Sequence, residues 1–530
     1  MSTASTLPVT SRARRRPVLR RLAAWLVERA RNRKTDLWLV VTFAVLHGVI
    51  WTFTLIRLKA AQDVHMDVAE AFAWGQKFQL GYGKHPPLAG WVAGLWFKFF
   101  PAADWATYAL AMTTLGVGLV ISWFIALRVV DRRRAFFVVV MLALYPIFNF
   151  KGFKYNPDLL QLVTLPLVVL AYLHAFEKRT WRSGILLGLA GALALMTKYW
   201  VLTMIGAIGL AALIHPDRLK FLRSPAPWVA IATLAVAMIP HLIWLWSVDF
   251  APLTYAGDVY GLSSRAQSAQ LVLGYVDHNL ALLLVPVVLA AIALAWPPRW
   301  LAHVWSPGAN TGVNLSQAIN VWVIQAIVAI GPPLGGIAFT VYMKTDWGIS
   351  LFFLTPLALV AIPALRIRLF ALFRITAIWL VLSLATLAAS PYIAVAELVE
   401  NPNGASGYGA RSQLARELTQ AWHMRFGSRW AVVAGTTEIG EPMTFYSPDH
   451  PAPFTPGELW SSGLTSLEEA KALGFIGICD TTDGRLPVCE AWMKENAANA
   501  EQLVMTTQRF FQGHPGPAIN WKIYIAPPGK

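Results

Sequence analysis

Long apolar runs separated by short polar ones dominate the chain. Runs of membrane-crossing character are read at 37–57, 105–130, 135–150, 157–176, 183–197, 199–214, 226–247, 271–295, 317–341, 348–365 and 374–396, eleven in all. Those at 135–150, 183–197 and 199–214 are short, so their ends are expected to differ or the runs to be partly re-entrant. Starting from a cytoplasmic N-terminus, the even-numbered runs end inside. Those ends carry Arg132, Arg133 and Arg134; Lys178, Arg179 and Arg182; Arg218, Lys220 and Arg223; Arg299; and Arg366, Arg368 and Arg374. This obeys the positive-inside rule and puts the loop 58–104 and everything after 396 outside. The expected architecture is mainly α, a polytopic helical domain over 37–396 followed by a small extracytoplasmic α/β domain over 397–530. In that last part the pattern predicts helices at Arg411 to Phe426 and Ser466 to Leu473. Strands are expected at Trp430 to Ala434, Phe475 to Cys479 and Trp521 to Ile525.

Composition agrees with the pattern. Of 530 residues, 56% are hydrophobic and only 14% charged, against about 25% charged in soluble domains. Mean hydropathy is +0.51. The net charge of +16 sits largely in arginine tracts beside apolar runs, which points to membrane topology and away from a nucleic-acid surface. Residues 1–36 are strongly basic, with Leu19, Leu22, Leu26 and Ala30 making an apolar stripe, as in a helix lying on the cytoplasmic leaflet. No cleavable leader is expected, because the first apolar run is long enough to span and lacks a convincing cleavage site. The two cysteines, Cys479 and Cys489, exclude a CxxC metal site. Outside the cytoplasm they are expected to be bridged.

The polar chemistry concentrates between His65 and Trp91. Read as a helix, Asp67, Glu70, Trp74 and Lys77 share one face, and Gly81 and Gly83 end it. Lys84-His85-Pro86-Pro87 follows as a stiff extended arm able to face that helix. The outer ends of the apolar runs carry lysines where the topology rule gives no reason for them: Lys84, Lys151, Lys154, Lys198 and Lys344. Together they suggest a site for a shared anion such as phosphate. Asp158 follows Pro157, where a helix N-terminus favours its charge.

These residues also carry a resemblance. Asp67-x-x-Glu70, Trp74-Gly75 and Gly81-Tyr82-x-Lys84-His85-Pro86-Pro87-Leu88 resemble the first outer loop of the GT-C polyprenyl-phosphate-sugar-dependent glycosyltransferases. That superfamily includes protein O-mannosyltransferases, the lipid A aminoarabinose transferase and rhizobial galacturonosyltransferases. Pro157-Asp158 resembles its second acidic motif, and Thr197-Lys198-Tyr199 its serine/threonine-lysine-tyrosine motif. Pro240-His241, Asp249 to Leu253, and Phe445-Tyr446-Ser447-Pro448-Asp449 also look like family sequence.

The resemblance implies a GT-C fold in a bacterial inner membrane. It implies transfer of a sugar from a polyprenyl-phosphate donor to a glycolipid or other envelope acceptor at the periplasmic face, with inversion. Asp67 is the expected general base, with Glu70 the alternative, because family members often have these acids adjacent. Asp158 joins them as a catalytic or orienting acid. Lys84, Lys198 and Lys344 are expected on the donor phosphate; His85, Trp74, Tyr82 and Tyr199 on sugar or acceptor. No cofactor is required, although Asp67, Glu70, His85 and Asp158 are of metal-ligating types. Membrane lipids are expected partners and nucleic acid is not. A lipid-linked sugar transporter and a protein O-glycosyltransferase are the alternatives.

Overall fold

The computed structural model describes residues 33–295, 304, 312–400, 405–456, 458 and 464–529. Of the basic stretch expected at 1–36, residues 1–32 lie outside the described residues, as does Arg299. Among the described residues seven helices are long and apolar enough to cross a membrane: Arg33–Leu58, Asp104–Val129, Pro157–Lys178, Pro225–Ser247, Arg265–Ala295, Leu315–Ala338 and Leu369–Glu400. An eighth candidate, 132–153, is broken by a 78° bend, and three further apolar helices at 181–195, 199–214 and 345–360 are shorter. Each of the eleven expected runs is therefore helical, but a count of eleven crossings is not met by length. The break has local causes. Pro146 cannot continue the helix, and the Asn149 amide donates to the carbonyls of Ala143 and Tyr145 at the bend (3.2 and 3.1 Å).

Helix Pro157–Lys178 lies at the centre, 78% buried over its apolar window, whereas Pro225–Ser247 and Leu369–Glu400 are only 17% and 22% buried. So much exposed apolar surface is stable only against lipid, and the chain is a multi-pass membrane protein. Small residues allow close helix approach. A Cβ built on Gly184 or Gly188 would lie 2.5 Å from the carbonyl of Ala226 or Ala230. His47 ties three segments together: Trp379 Nε1 donates to its Nδ1 (3.0 Å), so Nε2 donates to the Phe148 carbonyl (2.6 Å).

Beyond Arg411 the chain forms a mixed five-stranded sheet in the order β2-β1-β3-β5-β4. The strands are β1 (Val432–Ala434), β2 (Ala452–Phe454), β3 (Phe475–Asp480), β4 (Glu501–Phe511) and β5 (His514–Ala526). Helix Arg411–Phe426 matches its expectation, and Ser466 caps helix Leu467–Leu473. Trp422, Trp430 and Trp521 centre the core on one side of the sheet, and Cys479 is bonded to Cys489 on the other. β4 was not expected. Its Glu, Gln, Thr and Arg positions hide the strand period, and it forms as the antiparallel partner of β5.

This C-terminal part is fastened onto the first loop. Tyr446 accepts from the Val64 amide (2.7 Å) and donates to Asp104 (3.0 Å). Phe445 packs edge-on against Phe72, and Arg509 pairs with Asp63 (2.5 Å). The Phe445-to-Asp449 segment, recognisable in sequence but without a role there, is a clasp between sheet and loop.

Candidate active site

Helix Met66–Gly75 presents the two acids. His65 caps it, its Nδ1 accepting from the Asp67 amide (3.2 Å). The helix ends at Gly75, not at Gly81 as the sequence suggested. A Cβ on Gly75 would lie 2.5 Å from the Gly94 amide nitrogen, so Gly75 sits directly on the following helix, Leu88–Trp96. Lys77 consequently leaves the shared face and donates to the Leu464 carbonyl.

Lys84 and His85 lie on a tight turn in which Tyr82 and His85 exchange backbone hydrogen bonds (2.9 and 3.2 Å). The turn is held from behind. The Trp244 ring occupies the space of a Gly81 side chain, and His241 Nδ1 donates to the Leu80 carbonyl (2.8 Å) while Nε2 accepts from the Tyr199 hydroxyl (3.1 Å). Tyr199 is thus placed as a support of His241. Trp74 and Tyr82 stack on each other (5.0 Å, 7°), each only 2% exposed, and the Tyr82 hydroxyl sits 2.8 Å from the carbonyls of Trp74 and Lys77. Both rings are packing inside the loop, which removes the sequence-based reason for giving Trp74 a sugar face.

The acids divide. Asp67 accepts from the Asn156 amide (2.8 Å) and lies 3.9 Å from Lys154; its side chain is 25% exposed. Burial works against its charge, but His65, Lys154 and Asn156 outweigh it and hold the carboxyl well below the usual range. Glu70 is only 4% exposed and pairs with Lys84 at 2.5 Å. Burial pushes Glu70 up to about 7 against the pull of Lys84, and the Asp67 charge adds to the rise. Burial also opposes the Lys84 charge, yet Glu70 and Asp67 raise its pKa, so the ammonium stays charged.

Asp158, in the first turn of Pro157–Lys178, takes both its oxygens to Lys198 (2.7 and 2.8 Å), and Gln161 donates to it as well. Lys198 also lies 5.2 Å from the Trp347 ring centre. Lys344 is exposed, 5.2 Å from the Tyr260 ring, and forms no ion pair among the described residues. His85 lies within electrostatic reach of all three lysines. Burial and the charges of Lys198, Lys84 and Lys344 drive its pKa well below the ordinary value, against the pull of Asp67, so the imidazole is neutral.

The structure therefore gathers Asp67, Glu70, Lys84, His85, Asp158, Lys198 and Lys344, and leaves Trp74, Tyr82 and Tyr199 behind them. Sequence reading gave no role to Asn156, which caps helix Pro157–Lys178 and also orients Asp67; its place before proline was the available signal. It also missed Glu441, 1% exposed and raised in pKa by burial and by Glu70. Among the described residues no group of three or more His, Cys, Asp or Glu side chains is arranged to hold a metal. What the cluster offers is an ionised carboxylate, a neutral imidazole and several ammonium groups within one site.

Three comparisons bear on this arrangement. Residues 84–244 match the family described as dolichyl-phosphate-mannose-protein mannosyltransferase. The lipid A galacturonosyltransferase RgtD of Rhizobium johnstonii is 24% identical over 228 residues, 41% of this chain. The chain spans about half the length of that relative, 45%. ArnT from Cupriavidus metallidurans, solved with undecaprenyl phosphate bound, superposes with a TM-score of 0.59 at 11% identity, covering 93% of this chain and 98% of that one. At that identity the likeness is one of fold.

Proposed function

We propose, for a chain with the GT-C fold and mannosyltransferase-family sequence across 84–244, that it is an inverting glycosyltransferase. It moves a sugar from a polyprenyl-phosphate donor to a glycolipid acceptor of the lipid A or lipopolysaccharide type. The reading rests chiefly on one observation: Asp67 sits between two largely buried ammonium groups, Lys84 held by Glu70 one turn away on the same helix and Lys198 held by Asp158, whose neighbour Asn156 donates to Asp67.

Such a site suits a displacement at an anomeric carbon. The acceptor hydroxyl oxygen forms the new bond to that carbon as the bond to the phosphate oxygen breaks. The electron pair leaves with the lipid phosphate, where the lysines stabilise the growing charge. The hydroxyl proton passes to Asp67, the more accessible of the two acids. Glu70 has the pKa better matched to neutral pH, but it is closed in against Lys84, and reach precedes pKa in choosing a base. Glu70 and Asp158 hold Lys84 and Lys198 until the donor phosphate competes for them, and His85 orients donor or acceptor. An apolar groove of about 840 Å³ ends at Met196, two residues before Lys198, and suits the donor's tail. The arginine distribution supports an inner-membrane setting with the site and the C-terminal part facing the periplasm.

Glycolipid mass spectrometry tests the reading in cells. Envelope lipids from cells expressing the wild type should carry a species heavier by one sugar residue than those from cells with Asp67→Asn. A general base contributes on the order of 10²–10⁴ in rate, so that species should all but vanish in the variant. Identical spectra would contradict the assignment.

A further inference from the structure

One buried acid stands apart from the transfer step. Glu441 lies on helix Thr437–Tyr446 of the C-terminal part, and its Oε2 has no hydrogen-bond partner among the described residues. That helix packs along helix Met66–Gly75, and two contacts fix the register. The Thr437 hydroxyl lies 3.9 Å from the Met66 sulfur, and the Phe445 ring packs edge-on against Phe72 at 5.2 Å. The two helices therefore run in the same direction. One turn on from Thr437 is Glu441, and one turn on from Met66 is Glu70. The register brings both acids to the same level of the interface, and Glu70 is the charge that acts most strongly on Glu441. Lys84 and Glu458 act on both, and Glu458 already pairs with Arg485. Two such carboxyls beside one ammonium hold at least one proton between them. Burial and the Glu70 charge keep Glu441 as its neutral member, so Glu441 carries an O–H.

We propose that Glu441 is a positioning residue for donor capture: its carboxyl O–H donates to Glu70 and keeps that side chain satisfied when Lys84 leaves it for the donor phosphate. Before the donor arrives, Lys84 is the counterion of Glu70 at 2.5 Å. A phosphate that draws the ammonium away strands Glu70 in a site where its side chain is only 4% exposed. A buried carboxylate without a partner is costly, and that cost weakens donor binding. An O–H from Glu441 offsets much of it, because hydrogen bonds to a charged group are roughly twice as strong as neutral ones. Glu441 keeps its proton throughout. The C-terminal part thus acts on the phosphate site through Glu70 without touching the donor. This accounts for an acid at an interface whose other members include Ala69, Phe72 and Phe445.

This inference rests on the transferase reading, and one binding assay separates their failures. Purified full-length protein is titrated with polyprenyl phosphate, the donor's lipid without its sugar. Glu441→Leu and Glu441→Met remove the O–H and should each weaken binding about tenfold or more. Apolar side chains of that size suit a buried interface, and methionine is the milder change should the leucine disturb folding. Glu441→Gln keeps an N–H donor and should recover most of the affinity. A packing role alone predicts the reverse order, with leucine and methionine at least as good as glutamine. In Glu70→Gln the facing side chain is neutral and needs no such support, so adding Glu441→Leu there should change the affinity by no more than about twofold. Wild-type affinity in both the leucine and methionine variants, a glutamine variant as weak as they are, or an equal loss with and without Glu70→Gln overturns the inference and leaves the transferase reading standing. No binding of polyprenyl phosphate by the wild type overturns the transferase reading and the inference with it.

Discussion

Asp67 and Glu70 are one helical turn apart and titrate differently. His65, Lys154 and the Asn156 amide overcome burial and keep Asp67 ionised, whereas burial outweighs the pull of Lys84 and lifts Glu70 to about 7. The rise has a stability consequence. Its folded value lies above the ordinary 4.5, so the folded state binds the proton more tightly. That stabilisation is complete below about pH 4.5 and is lost as pH rises through about 7. Neutral His85 acts in the opposite sense below its ordinary value of 6.5, so the informative quantity is the difference between wild type and Glu70→Gln. Raising the pH from about 5.5 to about 8 should cost the wild type about 2 kcal/mol more than the variant. Melting curves in detergent at the two pH values check this, and parallel shifts would contradict it. The identities of these residues were legible in the sequence. Their pairing was not, because a one-turn spacing does not say which acid meets an ammonium and which meets an amide.

At the scale of elements, the acids are positioned by two short helices in backbone contact. Gly75 lies against Gly90 and Gly94, spaced one turn apart on the Leu88–Trp96 helix. An alanine at Gly75 would put a methyl 2.5 Å from the Gly94 nitrogen and 2.9 Å from the Gly90 oxygen, so the helices must part. Gly75→Ala should cost ~1–3 kcal/mol, lower the melting temperature and reduce turnover by moving both acids. Gly206→Ala is the control, because nothing lies within 4 Å of its built Cβ. Equal stability and turnover in Gly75→Ala and wild type would refute the packing argument. Here the sequence misled in a specific way. The pattern puts the stop at Gly81 and Gly83, whereas contact with the next helix makes Gly75 the stop and Gly81 the seat for Trp244.

For the whole molecule, the apolar pattern located each helix among the described residues that is long and apolar enough to cross a membrane, since burial in lipid leaves a long uninterrupted signal. It marked 183–197 and 199–214 as short but not the helical stretch 345–360, and it did not show that the C-terminal sheet clasps the first loop through Tyr446 and Arg509. Such contacts join residues hundreds of positions apart and leave no local period. The loop chemistry was legible because one polar stretch carries most of it. The central claim is that lysines brought from separate segments act together on one lipid phosphate. The most direct test is a double-mutant cycle on Lys84 and Lys198 in purified protein, measuring turnover of a polyprenyl-phosphate sugar. Lys84→Met and Lys198→Met should each lower kcat on the order of 10²-fold. The double variant should lose less than the product of the two, because both groups stabilise the same departing charge. Turnover close to wild type in both single variants would contradict the claim.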